Sequence, residues 1–202
     1  WSDLSDETHP SGLISSMKGF EPVLCFDHAG ENLYAGFRDE ASGERIKVMK
    51  WKQDLGWTEV ADANNPGGLI SGGVASEVEL KTSKTNNVMY ATFEDRLNGG
   101  RIKVKKWDGS IWQDLSDENH PEGLISSIEG FSPSIDLDSA GNLYLVYTGK
   151  NAKNTFIHKW NGNNWENIGN GVAIAGKTIE STIAIDERNI LYLAYSQKTK
   201  KG

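Results

Sequence analysis

The sequence contains a single cysteine, Cys25, in 202 residues, which excludes a disulfide bond within the chain. Long apolar runs are also missing, because no stretch approaches the roughly 18 apolar residues that a membrane-spanning helix needs. No basic and apolar leader opens the chain, so we expect a signal peptide to have been removed or never to have existed. We therefore expect no membrane span.

Positive charge is scarce relative to negative charge. The 21 Lys and Arg residues are outnumbered by 28 Asp and Glu residues, and the formal net charge is −7. The lysines are scattered among acids, apart from Lys198, Lys200 and Lys201 near the end of the chain. Binding to a phosphate backbone needs clustered cations, so we expect no nucleic-acid partner.

Glycine (22 residues) and tryptophan (7 residues) are plentiful, and motifs that contain them repeat along the chain. Residues 1–20 return at 112–131 with 15 of 20 positions identical, and 57–71 is a looser copy. The segment RIKVMKW at 45–51 returns as RIKVKKW at 101–107 and, more distantly, as NTFIHKW at 154–160. A tyrosine marks a third common element of each unit: Tyr34, Tyr90, Tyr144 and Tyr192. One domain of repeats is therefore predicted, with units 1–56, 57–111 and 112–164 and a partial unit 165–202.

Each unit is interpreted as four short strands. In the third unit the first two strands are 134–137 and 143–147, joined by a turn at 138–141. The third strand precedes a hairpin turn of the Asp-Gly or Asn-Gly type, at 108–109 and 161–162, and the fourth strand opens at a tryptophan. An isolated sheet of this kind cannot bury both faces, so neighbouring copies must stack. The pattern predicts an all-β protein, a β-propeller of four-stranded antiparallel blades, with about four blades in this chain and the last incomplete. An elongated solenoid of sheets is the competing architecture.

The best copy of the repeat reads D-x-x-G-N-L-Y-x-x-Y followed by K-W-N-G-x-x-W, from Asp138 to Trp165. This pattern resembles the tandem repeats of bacterial extracellular β-propeller proteins. The second unit departs from it, because 81–87 lacks the Asp and Gly of the turn. The resemblance implies the propeller fold and an extracellular or cell-surface location. It implies no particular activity, since propellers host binding, scaffolding and catalysis alike.

Long loops leave the fourth strand of each unit at 5–19, 61–73, 116–130 and 169–177, and charged loops join the second strand to the third on the same face. Function usually resides in such loops on a rigid scaffold, so this long-loop face is where we expect a ligand. The candidate ligand-binding residues are Asp6, His9, Asp39, Glu40, Asp95, Arg96, Asp117 and His120.

The histidines allow two interpretations. Asp6 with His9, and Asp117 with His120, could form a metal-binding or hydrogen-bonding pair, or each Asp could simply cap a turn. The second unit has Asn65 at this position, so we expect no ring of metal ligands, no bound metal and no cofactor. Glu79 and Asp136 are interpreted as equivalent positions on first strands, where other units carry Cys25 and Ala184.

The sequence lacks G-x-S-x-G, H-E-x-x-H, C-x-x-C and a phosphate-binding glycine loop. The favoured function is a non-catalytic, lectin-like binding module of an exported or surface protein that recognises a glycan or a protein through the long-loop face. A glycoside hydrolase or lyase on a propeller scaffold is the alternative, and a purely structural surface repeat is a third class. Because the fourth unit lacks its third strand, we expect either a piece of a longer protein or self-association through the incomplete terminal blade.

Overall fold

The structure, a computed structural model, describes residues 3–151 and 153–198. The described chain is all-β and forms three four-stranded antiparallel sheets and one two-stranded sheet. Sheet 1 contains β1 (Gly19–Phe26), β2 (Leu33–Asp39), β3 (Arg45–Lys52) and β4 (Gly56–Glu59). Sheet 2 contains β5 (Ala75–Thr82), β6 (Met89–Asp95), β7 (Arg101–Trp107) and β8 (Trp112–Asp114). Sheet 3 contains β9 (Gly130–Leu137), β10 (Leu143–Gly149), β11 (Thr155–Trp160) and β12 (Trp165–Asn167), and sheet 4 contains β13 (Thr178–Ile185) and β14 (Leu191–Gln197).

The only helices among the described residues are single 3₁₀ turns, and none has the length and apolar character to cross a membrane. They lie in the loops of the long-loop face, at Pro10–Gly12, Glu40–Ser42, Pro66–Gly68, Arg96–Asn98 and Pro121–Gly123. At the opposite end, tight turns join β3 to β4 and its equivalents. Gly109 and Gly162 of these turns adopt φ of +104° and +105°, a backbone conformation that side chains disfavour.

The sheets stack face to face, and the core lies between them. Ile46 and Val48 of sheet 1 pack with Leu80 and Phe93 of sheet 2, and the next two interfaces repeat this arrangement. Burial of both faces explains why the second strands are apolar on each side. We call the face of a sheet that packs on the preceding sheet its leading face, and the face toward the following sheet its trailing face.

The four innermost strands, β1, β5, β9 and β13, surround one central cavity. Equivalent residues of the four strands line it: Val23, Glu79, Ser134 and Thr182. An elongated stack of sheets would not bring four first strands to a common cavity. The prediction of a β-propeller with an incomplete last blade is therefore confirmed.

The repeated tyrosines occupy equivalent positions, since each is the second residue of its strand and pairs with the corresponding residue of the innermost strand. Tyr34 and Tyr90 are 9% and 8% exposed, and Tyr144 is half-buried, as the repeat predicts. Tyr192 is 50% exposed. The reason is that no further sheet packs on the trailing face of sheet 4 within the described residues.

Of the segment 1–4, which is predicted to lack its proper partner strand, Trp1 and Ser2 lie outside the described residues. Leu4 is described, and its carbonyl oxygen accepts a hydrogen bond of 2.8 Å from the Trp57 indole nitrogen of sheet 1. Strand β14 pairs with β13 alone among the described strands. The described residues therefore form no strand at the open edge of β14.

Candidate active site

The central cavity has a volume of about 660 Å³ and lies at the long-loop end of the axis, where the innermost strands begin. Its polar lining is dominated by three glutamates, Glu77 and Glu79 of β5 and Glu180 of β13. Val23, Pro133 and Tyr195 supply an apolar part of the wall. The cavity thus combines carboxylates with apolar surface, which is the usual make-up of a small-molecule site.

Two of these carboxylates are partly buried, and each accepts a hydrogen bond from the backbone of the next sheet. Glu77 Oε2 accepts from the Ser132 amide at 2.5 Å, and Glu79 Oε2 accepts from the Ile135 amide at 3.0 Å. Burial raises the pKa of both carboxyl groups above the ordinary glutamate value, more than these amides lower it. For Glu77, the negative charges of Glu94 and Glu21 raise the pKa further, and the positive charge of Arg96 lowers it.

Equivalent positions in the other sheets differ from Glu77 in chemistry. In sheet 1, Glu21 Oε1 lies 3.5 Å from a guanidinium nitrogen of Arg38, and Glu21 Oε2 accepts a 2.6 Å bond from the Glu77 amide. In sheet 2, the position of Arg38 is taken by Glu94, so Glu77 faces a like charge instead of a cation. Sheet 3 has Ser132 at the position that Glu77 occupies in sheet 2. The repeat symmetry is therefore broken at the cavity, as an active site requires.

A β-bulge directs these side chains. The register of each innermost strand shifts next to Glu21, Glu77 and Ser132, and the three residues have φ of +54°, +55° and +49°. Such values are strained for residues with a side chain, and bulges of this kind re-aim side chains near functional sites. The sequence carries no signal for a bulge here, so Glu77 is absent from the predicted site residues.

The predicted Asp–His pairs lie between sheets and not in the central cavity. Asp117 Oδ2 accepts a 2.6 Å bond from the Trp165 amide of the next sheet, and Asp117 Oδ1 lies 2.8 Å from His120 Nδ1. Asp6 and His9 repeat this geometry against the Trp57 amide, at 2.6 and 2.9 Å.

We call this aspartate, with the tryptophan amide that it binds in the next sheet, a clamp. The second repeat has the same clamp without a histidine. Asp62 accepts bonds from the Trp112 amide at 2.5 Å and from Asn65 Nδ2 at 3.0 Å. Asn65 makes the same contact to its aspartate as the histidines do. The geometry therefore explains these residues as hydrogen-bonded links between successive sheets. Ligand binding by Asp6, His9, Asp117 and His120 stays a prediction.

The Asp117 clamp is expected to make stability depend on pH. Burial would raise the pKa of Asp117, but hydrogen bonds from the Trp165 amide and His120 outweigh it, so the pKa is lowered. The clamp therefore stabilises the fold above the unfolded aspartate pKa of about 3.9, and this stability is lost as the pH falls through the lower folded value. Asp117→Ala is expected to reduce the unfolding free energy by about 1–3 kcal/mol at pH 7, measured in urea. The variant should lose less stability than the parent chain between pH 5 and pH 3, and an equal loss would contradict the role.

The other predicted residues lie at the ends of β2 and β6. Asp39 is buried and accepts bonds from Ser15 Oγ at 2.6 Å and Ser42 Oγ at 2.5 Å, which fastens two loops together. Asp95 is also buried and accepts a 2.9 Å bond from Asn98 Nδ2.

Glu40 and Arg96 follow these aspartates in the chain. Glu40 accepts a long bond of 3.4 Å from the Lys18 amide. Arg96 is exposed, and its guanidinium lies 3.6 Å from Glu94 Oε2. None of the eight predicted residues lines the central cavity, although the charge of Arg96 lowers the pKa of the cavity residue Glu77.

The equivalence drawn between Glu79 and Asp136 is wrong. Asp136 pairs with Tyr144 as Lys81 pairs with Tyr90, so Lys81 is the true counterpart of Asp136. These two counterparts form an ion pair, with 3.0 Å between Lys81 Nζ and Asp136 Oδ1. Asp136 therefore has a structural partner in the preceding sheet, whereas Glu79 points into the cavity. Cys25 occupies the same position in sheet 1, and burial raises the pKa of its thiol to about 12, which excludes a nucleophilic thiolate near neutral pH.

A second pocket of about 370 Å³ lies between sheets 2 and 3, and His120, His158 and Tyr147 contribute to its wall. His158 is buried, Tyr147 Oη lies 3.2 Å from its Nε2, and burial lowers its pKa to about 4. Among the described residues, no group of three His, Cys, Asp or Glu side chains could hold a metal ion.

We predict that no metal depends on either loop histidine. A chelator such as EDTA should leave the melting temperature unchanged, because only Asp117 faces His120 as an acidic partner. His120→Ala should respond to EDTA as the parent chain does. A chelator-induced drop in melting temperature that His120→Ala abolishes would contradict this prediction.

Neither a protein-family model nor a curated protein matches this chain. Solved structures do resemble it in fold. An endo-1,4-β-xylanase from Bacteroides thetaiotaomicron is 14% identical with a TM-score of 0.53, and the match covers 90% of this chain and 66% of that protein. An α-L-arabinofuranosidase from Clostridium thermocellum is 14% identical with a TM-score of 0.54, over 94% of this chain and 67% of that protein. AofleA from Arthrobotrys oligospora, solved as a triple arginine-to-alanine mutant, is 11% identical with a TM-score of 0.54, over 88% of this chain and 49% of that protein.

At these identities the likeness establishes the propeller fold alone, and the chain spans about two thirds or less of the length of these proteins. Several similar structures are nevertheless described as glycoside hydrolases, including a thermostable family-43 enzyme and a glycosyl hydrolase from Bacteroides ovatus. The favoured interpretation as a non-catalytic binding module is therefore wrong. The comparison supports its alternative, a glycoside hydrolase on a propeller scaffold.

Proposed function

We propose that this chain carries the catalytic carboxylates of a glycoside hydrolase. The observation that supports the proposal is the central cavity, whose wall at the long-loop end of the axis includes Glu77, Glu79 and Glu180. Glycoside hydrolysis requires two carboxyl groups, one protonated to assist the leaving group and one ionised to attack the sugar or to activate water. A fold shared with xylanases and arabinofuranosidases is consistent with this chemistry.

Glu77 is the proposed general acid. Its burial and the nearby charges of Glu94 and Glu21 raise its pKa, which favours the protonated form that must donate a proton to the glycosidic oxygen. Its Oε2 is fixed by the Ser132 amide, and the bulge at φ +55° directs the side chain into the cavity. A fixed orientation matters because proton transfer requires hydrogen-bond geometry to the substrate.

Glu180 is the proposed second carboxylate. It is exposed to solvent within the cavity, so water has access to it. Glu79 is held by the Ile135 amide and lies on the same innermost strand as Glu77. We assign Glu79 a positioning role toward a sugar hydroxyl. Tyr195 and Pro133 offer apolar surface on which a sugar ring can pack.

The substrate class that we propose is a neutral plant-type polysaccharide, by analogy with the xylanase and the arabinofuranosidase of similar fold. A polysaccharide is too large to enter a cell, so we also propose an extracellular or cell-surface location. The test is to incubate the chain with xylan, arabinan and synthetic aryl glycosides and to follow new reducing ends and released aglycone. Glu187→Gln is a matched control, since Glu187 is exposed and lies in the β13–β14 turn, away from the cavity.

We expect turnover of at least one substrate by the parent chain and by Glu187→Gln, with loss of turnover in Glu77→Gln. Product analysis by NMR would then show whether the anomeric configuration is retained or inverted. Saturable binding of these glycans without any cleavage, in both the parent chain and the control, would contradict the proposal.

A further inference from the structure

The pocket of about 370 Å³ between sheets 2 and 3 shares no lining residue with the central cavity. Its volume falls at the lower end of the range of about 300–1,000 Å³ that is usual for small-molecule sites. Arg101, at the start of β7, and residues of β10 and β11 contribute to its wall. The pocket is therefore large enough to hold one small ligand at a place distinct from the proposed active site.

Aromatic rings supply the apolar part of this pocket. The Tyr147 ring stacks on Phe156, with 5.2 Å between centroids and 20° between planes, and on His158, at 5.5 Å and 13°. His120 meets His158 edge-on, with 6.0 Å between centroids. The polar groups around these rings include three exposed asparagine amides, those of Asn119, Asn167 and Asn170. Rings and amides together suit a sugar, which has apolar C–H groups and hydroxyls that both donate and accept.

Tyr147 and His158 leave one hydrogen-bond donor without an acceptor. Tyr147 Oη lies 3.2 Å from His158 Nε2, whereas His158 Nδ1 is buried and has no partner among the described residues. Burial lowers the pKa of His158 to about 4 and raises the pKa of Tyr147, so at neutral pH the pair carries one imidazole N–H and one phenol O–H. The bond between the two side chains uses one of these hydrogens in either tautomer, and the other finds no acceptor in the described part of the chain. A ligand oxygen would satisfy this donor, which is costly to leave unpaired.

Arg101 places a positive charge near this donor. Its Nε donates a 2.6 Å bond to the Ser126 carbonyl oxygen, and its Nη2 donates a 3.2 Å bond to the Leu124 carbonyl oxygen. Both acceptors are uncharged, and the charge of Arg101 is close enough to oppose the effect of burial on the pKa of Tyr147. Among the described residues, no acidic side chain lines the pocket. A ligand carboxylate would therefore give Arg101 an anionic partner and the unused donor an acceptor.

The equivalent pocket between sheets 1 and 2 contains a carboxylate of its own. There, Asp114 Oδ2 lies 3.2 Å from Lys103 Nζ, and Asp114 Oδ1 lies 3.0 Å from Lys105 Nζ. Sheet 3 has Asn167 in place of Asp114 and aromatic rings in place of both lysines. The internal ion pairs are thus replaced by rings, an amide and an unused donor, which leaves the pocket open to a carboxylate from outside.

We propose that the pocket between sheets 2 and 3 binds an acidic sugar, a uronic acid, through its carboxylate and its ring. Arg101 and the unused donor of the Tyr147–His158 pair bind the carboxylate, and the aromatic rings contact the sugar ring. This site goes beyond the proposed hydrolysis and does not depend on it, because the two pockets are separate.

The test is titration of the chain with methyl β-glucuronide and methyl β-glucoside, followed by NMR and calorimetry. The two sugars differ only in that the glucuronide carries a carboxylate where the glucoside carries a hydroxymethyl group. We expect saturable glucuronide binding that is at least about 10-fold tighter than glucoside binding, with shifts of the His120 and His158 imidazole signals. Acetate, which has the carboxylate without the ring, should bind more weakly than the glucuronide. Equal affinity for the two sugars, equal affinity for acetate and glucuronide, or no glucuronide binding would overturn the proposal.

Two variants locate the site. Tyr147→Phe should fold, because Phe93 occupies the equivalent position of sheet 2, and it should weaken glucuronide binding at least about 5-fold. Arg101→Gln should abolish the preference for glucuronide over glucoside. Arg45→Gln is the matched control, because Arg45 donates the equivalent bond, 2.8 Å to the Ser71 carbonyl oxygen, in the other pocket. Undiminished glucuronide binding in Tyr147→Phe, or an equal loss in Arg45→Gln and Arg101→Gln, would show that the carboxylate binds elsewhere. The readout is binding and not hydrolysis, so its failure is distinguishable from failure of the proposed function.

Discussion

Replacing Glu77 by glutamine is expected to lower glycoside turnover by about 10²–10⁴-fold, the usual contribution of a general acid. Glutamine keeps the shape, and its carbonyl oxygen accepts the Ser132 amide bond, but its amide has no acidic proton to transfer to the glycosidic oxygen. The innermost strand should therefore stay in place, and circular dichroism and the melting temperature should change little. Glu187→Gln should retain full turnover under the same conditions.

The pH profile offers a sharper measurement of the same role. A general acid is active only while protonated, so turnover should fall as the pH rises through the raised pKa of Glu77. Glu94 raises that pKa by like-charge repulsion, and Glu94→Gln removes the charge. The alkaline limb of the profile should then shift to lower pH. An unchanged limb in Glu94→Gln, or full turnover in Glu77→Gln, would contradict the assignment.

The β-propeller architecture could be predicted from the sequence, because each repeat carries the same strand and turn signals. Tryptophan and tyrosine recur at fixed intervals, and Asp-Gly or Asn-Gly turns separate strands three and four in two units, so strand order and the long-loop face could be predicted. The central cavity lies at the same end of the axis as these loops, but strand residues form its wall. The predicted loop residues mostly form hydrogen bonds that link neighbouring sheets, such as the bond from the Trp165 amide to Asp117.

The candidate catalytic residues could not be predicted from the sequence, because the sequence does not reveal the pairing register of the innermost strands. Val78 and Leu80 look like the apolar pair Leu24 and Phe26, because a shift of two residues preserves the alternation of a strand. Pairing shows that Leu80 is the equivalent of Leu24. With that shift, Glu79 appears to match Asp136, and the ion pair between Lys81 and Asp136 is hidden.

Repeat symmetry also misled the functional interpretation. The near-identical loops at 1–20 and 112–131 carry four of the eight candidate ligand-binding residues, Asp6, His9, Asp117 and His120. The unlike residues that matter lie on the innermost strands, where Glu21 faces Arg38 but Glu77 faces Glu94. A site built from residues of different repeats becomes visible only when the four strands are placed around a common axis.

Trp112→Ala is expected to reduce the unfolding free energy by about 3–5 kcal/mol, as for other buried aromatic residues. Trp112 is buried in the interface between sheets 1 and 2 and lies 5.5 Å from Trp107, centroid to centroid. Its indole nitrogen donates a 2.8 Å bond to the Val60 carbonyl oxygen, and its amide donates to Asp62. The side chain thus joins the outer strand of one sheet to the segment that leaves the preceding sheet.

Two further variants separate the contributions of Trp112, all measured by urea unfolding. Trp112→Phe keeps most of the apolar volume but leaves the buried Val60 carbonyl without its donor, so it should lose less stability than Trp112→Ala and still at least about 1 kcal/mol. Ile111→Ala is the control, because Ile111 is 45% exposed and a surface substitution should stay within about 0.5 kcal/mol. Because neighbouring sheets share this side chain, the transition of Trp112→Ala should also broaden as the sheets begin to unfold separately. If Trp112→Ala lost less than about 1 kcal/mol of unfolding free energy and its transition kept the same breadth, the contacts of Trp112 would not be needed to hold the sheets together.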